Sequence, residues 1–176
     1  MNAQQLTDSR RDKDAFMKDH PQSPLAPEQQ AAFDGLPYYD YNPALDLTVR
    51  VDPVEGEHEI AIETSSGDVR RYQRFGRFTF AVDGQTATLT IYEAPHGYFL
   101  PFADANAGVE TYGGGRYLEP EELSGGLFHV DFNQAYNPFC AYSDGWSCPI
   151  PPAENRLAVA IHAGEKLPQG QWMEVE

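Results

Sequence analysis

The chain has 176 residues, of which 41% are hydrophobic and 12% aromatic. This length and composition fit one folded domain and exclude a disordered acidic chain. Its 27 acidic and 12 basic residues give a formal net charge of −15, which repels phosphate backbones and argues against nucleic-acid binding. No apolar run reaches the roughly 18 residues of a membrane span, and the first residues lack the apolar stretch of a secretory signal. We therefore expect a cytoplasmic protein without nucleic-acid or membrane partners.

The acidic excess has two explanations. Only three of the basic residues are lysines, namely Lys13, Lys18 and Lys166, which fits a GC-rich genome in which arginine replaces lysine. It also fits a halophilic prokaryote, because a salty cytosol screens the repulsion among so many negative charges. We favour the halophilic explanation.

The N-terminal residues have a helical pattern. Residues 5–19 carry a few apolar side chains among many charges, and His20-Pro21 ends the run. A second, short helix is predicted to begin at Pro27 and to end at Gly35. Neither helix has a strong apolar stripe, so we expect both to pack against a larger body.

From residue 45 onward the hydrophobic pattern changes to a period of two. Asp83-Gly84 separates two alternating runs and is a strong signal for a hairpin turn. Strands are predicted at 47–51, 60–62, 78–82, 87–91, 98–102, 109–112, 115–119, 127–132 and 157–163.

Strands that follow one another with short turns predict a mainly β fold, either an antiparallel β-barrel or a sandwich. One or two N-terminal helices precede it. We expect a single domain overall, in which residues 1–42 form a helical segment packed on the barrel or sandwich of residues 43–176.

Residues 133–155 break the alternation, because they contain four prolines and four aromatic residues and have no usable period. Irregular segments of this length in compact domains are usually functional or disordered. The aromatic residues offer apolar area to pack, so we expect an ordered loop that covers one end of the β domain.

Three polar runs resemble one known family. They are TYGGGRYL from Thr111 to Leu118, DFNQAYNP from Asp131 to Pro138 with Cys140 beyond it, and CPIPPAENRL from Cys148 to Leu157, which leads on to AGEK at 163–166. In this order they resemble the prokaryotic domain-of-unknown-function family numbered 1684, over most of residues 10–167. The resemblance implies that the three runs belong together, and it implies no activity.

Arg116 follows three glycines. Glycines let a ligand approach the backbone closely, and their N–H groups beside a guanidinium form a candidate anion site. The alternative is a β-turn or bulge with Arg116 in a structural ion pair.

Asp131 lies near the end of the predicted strand 127–132, on the face opposite to Phe128 and Phe132. As a catalytic candidate it would be a general base or the counterion of Arg116 or Arg156. The alternative is a carboxylate that caps the following loop.

Glu154 and Arg156 end the irregular loop. Glu154 is a second catalytic candidate, and Arg156 could bind a carboxylate or phosphate with both of its terminal nitrogens. Arg156 could equally hold the loop in place. The basic residues Arg70, Arg71, Arg74 and Arg77 should lie on both faces of one strand, so they predict no single binding patch.

Cys140 and Cys148 leave three alternatives: free thiols, a disulfide, or a nucleophile with His129 or His162 as its base. We expect no metal and no cofactor, because the cysteines lack ligand spacing and the histidines are scattered along the chain.

The function stays open among three hypotheses. The first is a domain that binds a small polar or anionic molecule, with the ligand-binding candidates Arg116, Asn133, Tyr136, Asn137 and Arg156. The second is a hydrolase- or lyase-like enzyme that uses Asp131 or Glu154 as a base and Arg116 to orient the substrate. The third is a structural or interaction domain without a ligand. A further expectation is that one end of the β domain gathers Arg116, Asp131, Asn137, Glu154 and Arg156, with at least one arginine–carboxylate contact.

Overall fold

The computed structural model describes residues 1–175 as mainly antiparallel β structure behind one long helix. Helix α1 (Ala3–Asp19) begins at a reciprocal cap, in which the Asn2 side chain accepts from the Gln5 N–H at 2.9 Å and the Gln5 side chain accepts from the Asn2 N–H at 3.0 Å. Helix α2 (Pro27–Ala32) begins at the predicted proline and ends earlier than predicted. Within the described residues, no helix combines the length and apolarity needed to cross a membrane.

Two antiparallel sheets follow the helices. The strands within residues 1–175 are β1 (Asp46–Arg50), β2 (Asp52–Pro53), β3 (Glu59–Glu63), β4 (Val69–Val82), β5 (Gln85–Ala94), β6 (Gly97–Phe102), β7 (Arg116–Leu118), β8 (Glu121–Glu122) and β9 (Leu127–Asp131). One sheet has the order β2-β4-β5-β6-β7, with β3 also paired to β4, and the other has the order β1-β9-β8.

The two sheets share one hydrophobic core, as in a sandwich. Phe128 and Val130 of the small sheet pack in the same cluster as Phe78, Leu89 and Leu100 of the large sheet. In the described chain the strands do not close into a barrel. The mainly β prediction and its sandwich alternative are therefore confirmed, and the barrel alternative is wrong.

Strands β4 and β5 form the longest hairpin. Asp83 and Gly84 make its turn with φ values of 49° and 78°, a left-handed conformation that aspartate tolerates and glycine adopts freely. Val82 pairs directly with Gln85 across the turn. The predicted hairpin is confirmed.

A second hydrophobic cluster holds the helices. Met17 of α1 and Phe33 after α2 pack with Tyr142 of the irregular loop and with Trp172 near the C-terminal end of the described chain. The ring centroids of Phe33 and Trp172 lie 5.1 Å apart. The helical segment therefore packs against residues from the second half of the chain.

Two predicted strands are wrong. Residues 109–112 belong to a turn, in which Thr111 forms an isolated bridge with Ala107 and donates to the Asp104 carboxylate at 2.9 Å. Residues 157–163 are irregular, with bends, and bury Val159 and Ile161, yet they join neither sheet. Leu157 and Val159 bond to the backbone of Ala103 and Ala105, whereas side chains bond both backbone groups of Ile161.

The predicted loop of residues 133–155 contains short 3₁₀ turns and runs between distant strands. Tyr136 bridges Tyr117 of β7, and Pro149 bridges Thr64 at the end of β3. The Tyr117 hydroxyl also donates to the Pro149 carbonyl at 2.5 Å. These contacts attach both ends of the loop to the large sheet.

Candidate functional site

Arg116 is a buried structural residue. Its side chain is 1% exposed. Nη2 donates to the Ile161 carbonyl at 3.0 Å, and Nη1 donates to the carbonyls of Ala163 and Glu165, the latter at 3.1 Å. Burial lowers the pKa of Arg116, while the charge of Asp104 acts to raise it. A ligand could contact this guanidinium only by displacing the C-terminal residues that accept its hydrogen bonds.

Asp131 caps the turn that follows β9. Its Oδ1 accepts from the backbone N–H of Asn133 at 3.0 Å and from the Asn133 side chain at 2.9 Å. Its Oδ2 accepts from the Gln134 side chain at 3.2 Å. This is the capping geometry that the sequence left as the alternative to catalysis.

Asp46, His129 and Asp131 are the residues of the described chain with ligand atoms close enough for a metal, all within 4.8 Å of one another. The register of β1 and β9 explains this, since Asp46 lies opposite Asp131. The three groups already bond to protein atoms. His129 Nε2 lies 2.6 Å from Asp46 Oδ1, and the Met1 amino group lies 3.1 Å from Asp46 Oδ2 and 3.9 Å from Asp131 Oδ2.

Electrostatics stabilise the charged form of Asp46. Burial acts to raise its pKa, but hydrogen bonds from His129 and from the amino group outweigh that effect and leave the pKa below its usual value.

Glu154 belongs to a separate ion-pair network beside β4 and β5. Arg74 Nε donates to its two oxygens at 3.0 and 3.2 Å, and Arg77 Nη2 donates at 3.3 Å. The Tyr92 hydroxyl donates to Glu154 as well. Burial acts to raise the pKa of Glu154. The hydrogen bonds from Tyr92 and Arg74 and the charges of Arg74 and Arg77 outweigh burial, so the pKa lies below its usual value.

A β-bulge brings the two arginines together. The β4–β5 register shifts between Arg74 and Gly76, and such a bulge changes which side chains share a face. Strict alternation would have placed Arg74 and Arg77 on opposite faces. Arg70 and Arg71 bond elsewhere, to the Ser147 carbonyl and to Glu59, so two of the four arginines meet at Glu154 and the four form no single patch.

The predicted five-residue cluster is not formed. Arg116 has Asp104 as its carboxylate partner, at 3.5 Å from Nη2 to Oδ2, and Glu154 has Arg74 and Arg77. Arg156 is exposed, and no hydrogen bond or ion pair joins its side chain to another described residue. Only Arg116 and Asn137 share a neighbour.

That shared neighbour is Glu165, which is 2% exposed. Its backbone carbonyl accepts from Arg116, and its Oε2 accepts from the Asn137 N–H at 2.8 Å and from the Tyr142 hydroxyl at 2.9 Å. Lys13 of α1 forms an ion pair with Oε1. Sequence reasoning missed this role of Glu165, although the residue stands within the AGEK run.

Asn155 was missed in the same way. It is fully buried and joins β5 to β6, because its side chain accepts from the Thr90 N–H and donates to the carbonyls of Thr90 and Pro101, each at 2.8 Å. Its position between the two singled-out residues Glu154 and Arg156 was the only signal.

A cavity of about 200 Å³ lies between α1 and residues 133–136. We call it the α1 groove. The residues that line it are Leu6, Ser9, Arg10, Lys13, Tyr38, Asn133, Gln134, Ala135, Tyr136 and Glu165. Asn133 and Tyr136 were ligand-binding candidates from the sequence, whereas Arg116, Asn137 and Arg156 do not line this groove.

The charge of the α1 groove differs from that of the rest of the surface. Arg10 and Lys13 outnumber its single acid, Glu165. Four other cavities are each lined by at least as many aspartates and glutamates as lysines and arginines. In a chain with 27 acids and 12 bases, the α1 groove is lined by more bases than acids.

Arg10 is held in the groove by backbone carbonyls. It donates to Tyr39 at 3.0 Å and to Asn133 at 3.3 Å, and its guanidinium carbon lies 4.3 Å from the centre of the Tyr38 ring. Within the described chain, Arg10 Nε and the Tyr38 hydroxyl are buried without a hydrogen-bond partner. Burial lowers the pKa of Arg10 and raises that of Tyr38.

Comparison with known proteins agrees with this fold. The model of a family described as a protein of unknown function, DUF1684, matches residues 31–166. The solution NMR structure of an uncharacterized protein of Haloarcula marismortui is similar, with a TM-score of 0.68 and 40% sequence identity over 93% of this chain and 92% of that one. No curated protein matches the chain significantly.

Proposed function

Because the chain belongs to the DUF1684 family of proteins of unknown function, its relatives supply no activity, and we propose from its own geometry that it binds a small polar or anionic molecule in the α1 groove. The observation that carries the proposal is the excess of base over acid in this one groove of a chain with a net charge of −15. A concave site of one charge sign concentrates ligands of the opposite sign.

Lys13 and Arg10 supply the recognition. Lys13 is 28% exposed at its side chain and lies 5.1 Å from the centre of the Tyr136 ring. Its ion pair with Glu165 and the carbonyl contacts of Arg10 fix both cations before a ligand arrives. Fixed groups of this kind lower the cost of ordering that binding would otherwise incur.

The dimensions of the groove limit the ligand. Its volume of about 200 Å³ is below the roughly 300–1,000 Å³ of pockets for drug-sized molecules. Leu6, Ala135 and the Tyr136 ring give one apolar wall. A small carboxylate or phosphate with a short apolar portion fits both the charge and the size.

The proposal includes a salty cytosol as the working environment. The composition supports it, since the acidic excess is large and lysines are few. The similar structure from Haloarcula marismortui supports it as well. At high ionic strength, long-range attraction is screened, so contacts inside the groove rather than steering would have to select the ligand.

Calorimetric titration tests the binding proposal. Acetate, citrate and inorganic phosphate would be titrated separately into the protein at constant ionic strength. We expect at least one of them to bind, and Lys13→Gln to weaken that binding about tenfold, which corresponds to about 1.4 kcal/mol. Circular dichroism would verify that the variant is folded.

Arg11→Gln is the matched control, because Arg11 lies on the same helix with 71% of its side chain exposed. We expect it to leave the affinity within about twofold, well below the effect of an interaction worth about 1.4 kcal/mol. Equal losses in the two variants would show that anions bind the surface generally, and the absence of binding by every probe would refute the proposal.

A further inference from the structure

The register of the small sheet places a histidine among carboxylates on one face. His129 and Asp131 lie two residues apart on β9, so their side chains project from the same face. Asp131 lies opposite Asp46 of β1, and His129 lies opposite Glu121 of β8. Val130, between them on β9, packs in the hydrophobic core. The face that carries His129 therefore points away from the core and is polar.

Three of these side chains converge on one point. One ligand atom from each of Asp46, His129 and Asp131 lies within 4.8 Å of the other two. Ligands on opposite sides of one metal ion are separated by about 4.0–4.4 Å, which is twice a metal–ligand bond of about 2.0–2.2 Å. Small rotations of the side chains therefore bring all three atoms to bonding distance from one ion.

A positive charge already lies at this place. The Met1 amino group is 3.1 Å from Asp46 Oδ2 and 3.9 Å from Asp131 Oδ2, so the two carboxylates share one cationic group. A divalent ion in its place would interact more strongly with the same carboxylates, because it carries twice the charge. It would also gain a bond to the His129 imidazole.

The most buried of the three groups is held in position by the turn that follows it. The Asp131 side chain is 1% exposed. Its Oδ1 accepts two hydrogen bonds from Asn133, and its Oδ2 accepts one from the Gln134 side chain at 3.2 Å. Hydrogen bonds of this kind orient the carboxylates that bind metals.

A cavity of about 300 Å³ opens onto His129 and Asp131. Its other acidic lining residues are Glu119 and Glu121, and no lysine or arginine lines it in the described chain. The cavity therefore gives a cation a path to the two side chains without passing a positively charged group.

We propose that Asp46, His129 and Asp131 bind a divalent transition-metal ion, with Zn²⁺ as its representative. One imidazole nitrogen with carboxylate oxygens suits such ions, whereas Mg²⁺ and Ca²⁺ prefer oxygen ligands alone. Sequence spacing did not indicate this site, because Asp46 and His129 are 83 residues apart and only the strand register brings them together. The proposal is independent of the ligand proposed for the α1 groove.

Calorimetric titration of the full chain with zinc chloride tests the proposal. Potassium chloride at about 1 M would screen weak binding to the many surface carboxylates. We expect one zinc ion to bind per chain and magnesium chloride to bind at least about tenfold more weakly, because Mg²⁺ gains little from an imidazole. No saturable binding of zinc, or equal affinities for the two ions, would overturn the proposal.

Two variants locate the site. His129→Gln and Asp46→Asn should each weaken zinc binding by at least about tenfold, the lower end of the loss that follows removal of groups that only support a metal ligand. Circular dichroism would verify that both variants are folded, and the second variant tests the site if the first is not. Unchanged zinc affinity in a folded variant would overturn the proposal.

His162→Gln is the matched control. Its imidazole Nε2 lies 3.8 Å from Glu110 Oε2 with 52% of the side chain exposed, so it is another histidine beside a carboxylate. We expect this substitution to leave the zinc affinity within about twofold, a difference of less than 1.4 kcal/mol. A loss equal to that of His129→Gln would show that zinc binds surface histidines generally, and the proposed site would be wrong.

Discussion

The Arg116 guanidinium lies 3.5 Å from the Asp104 carboxylate, and each of these side chains is only 1% exposed. Together they hold both backbone groups of Ile161, since Asp104 accepts from its N–H at 2.7 Å and Arg116 donates to its carbonyl at 3.0 Å. In a β-sheet a neighbouring strand makes these bonds. A buried ion pair thus takes the place of a neighbouring strand at Ile161.

Arg116→Ala should lower the free energy of unfolding by roughly 3–5 kcal/mol. The substitution leaves Asp104 as an unpaired buried charge and leaves the carbonyls of Ile161 and Ala163 without their donor. Urea unfolding followed by circular dichroism would measure the change.

The matched control is Arg156→Ala, which removes an exposed arginine from the same motif region. A surface substitution of this kind should change the free energy of unfolding by no more than about 0.5 kcal/mol. If both variants lost the same stability, the structural role of Arg116 would be wrong.

This ion pair also explains why the strand at 157–163 was wrongly predicted. Alternation correctly indicated which side chains are buried, since Val159, Ile161 and Ala163 all lie in the core. Alternation reports burial and not what the backbone bonds to. The partners here are the backbone of residues 103 and 105 and the side chains of Asp104 and Arg116, all distant in sequence, and no local pattern contains that information.

Asp131→Ala should destabilise the protein by about 1–2 kcal/mol, because it removes the side-chain acceptor for the Asn133 N–H. Asp131→Asn should destabilise the protein less than Asp131→Ala does, since asparagine caps a helical turn as well as aspartate does. Thermal melts of the two variants would measure the difference. Equal losses would show that the negative charge matters more than the cap.

Glu154 should contribute to acid sensitivity. Its folded-state pKa lies below the usual value of 4.5, so its stabilising contribution is complete above about pH 4.5 and is lost as the pH falls through the folded pKa. Glu154→Gln should therefore flatten the decrease of the unfolding free energy below about pH 4.5. Urea titrations at several pH values would show this.

The control for Glu154 is Glu55→Gln, because Glu55 is exposed and forms no ion pair with another described residue. Its pH profile should follow that of the unmodified chain. A Glu154→Gln profile parallel to both would mean that the Arg74 and Arg77 network adds nothing to stability in acid.

Potassium chloride should raise the melting temperature between about 0.1 M and about 1 M, because the Debye length falls from about 10 Å to about 3 Å over this range. A net charge of −15 repels itself less when it is screened. A double variant, Glu55→Gln with Glu57→Gln, should show a weaker salt dependence. A melting temperature that stays flat or falls would refute the halophilic interpretation.

The candidate site was only partly accessible to sequence reasoning. Asn133 and Tyr136 were singled out within a polar run, and both line the α1 groove. Arg10 and Lys13 were not, because several charged residues alternate along α1 and nothing local indicates which of them face the loop. Glu165 contacts Lys13 across more than a hundred residues, so tertiary packing decides that pairing.

The hairpin of β4 and β5 has a consequence for the order of folding. Its strands are joined by a two-residue turn, so their pairing closes short loops and can form on the timescale of microseconds. Arg116 must instead meet carbonyls from 45 to 49 residues further along the chain, a search over a much longer loop. We expect the C-terminal segment to dock last, so that slowing its docking would leave an intermediate with a formed hairpin and an unprotected Ile161 amide.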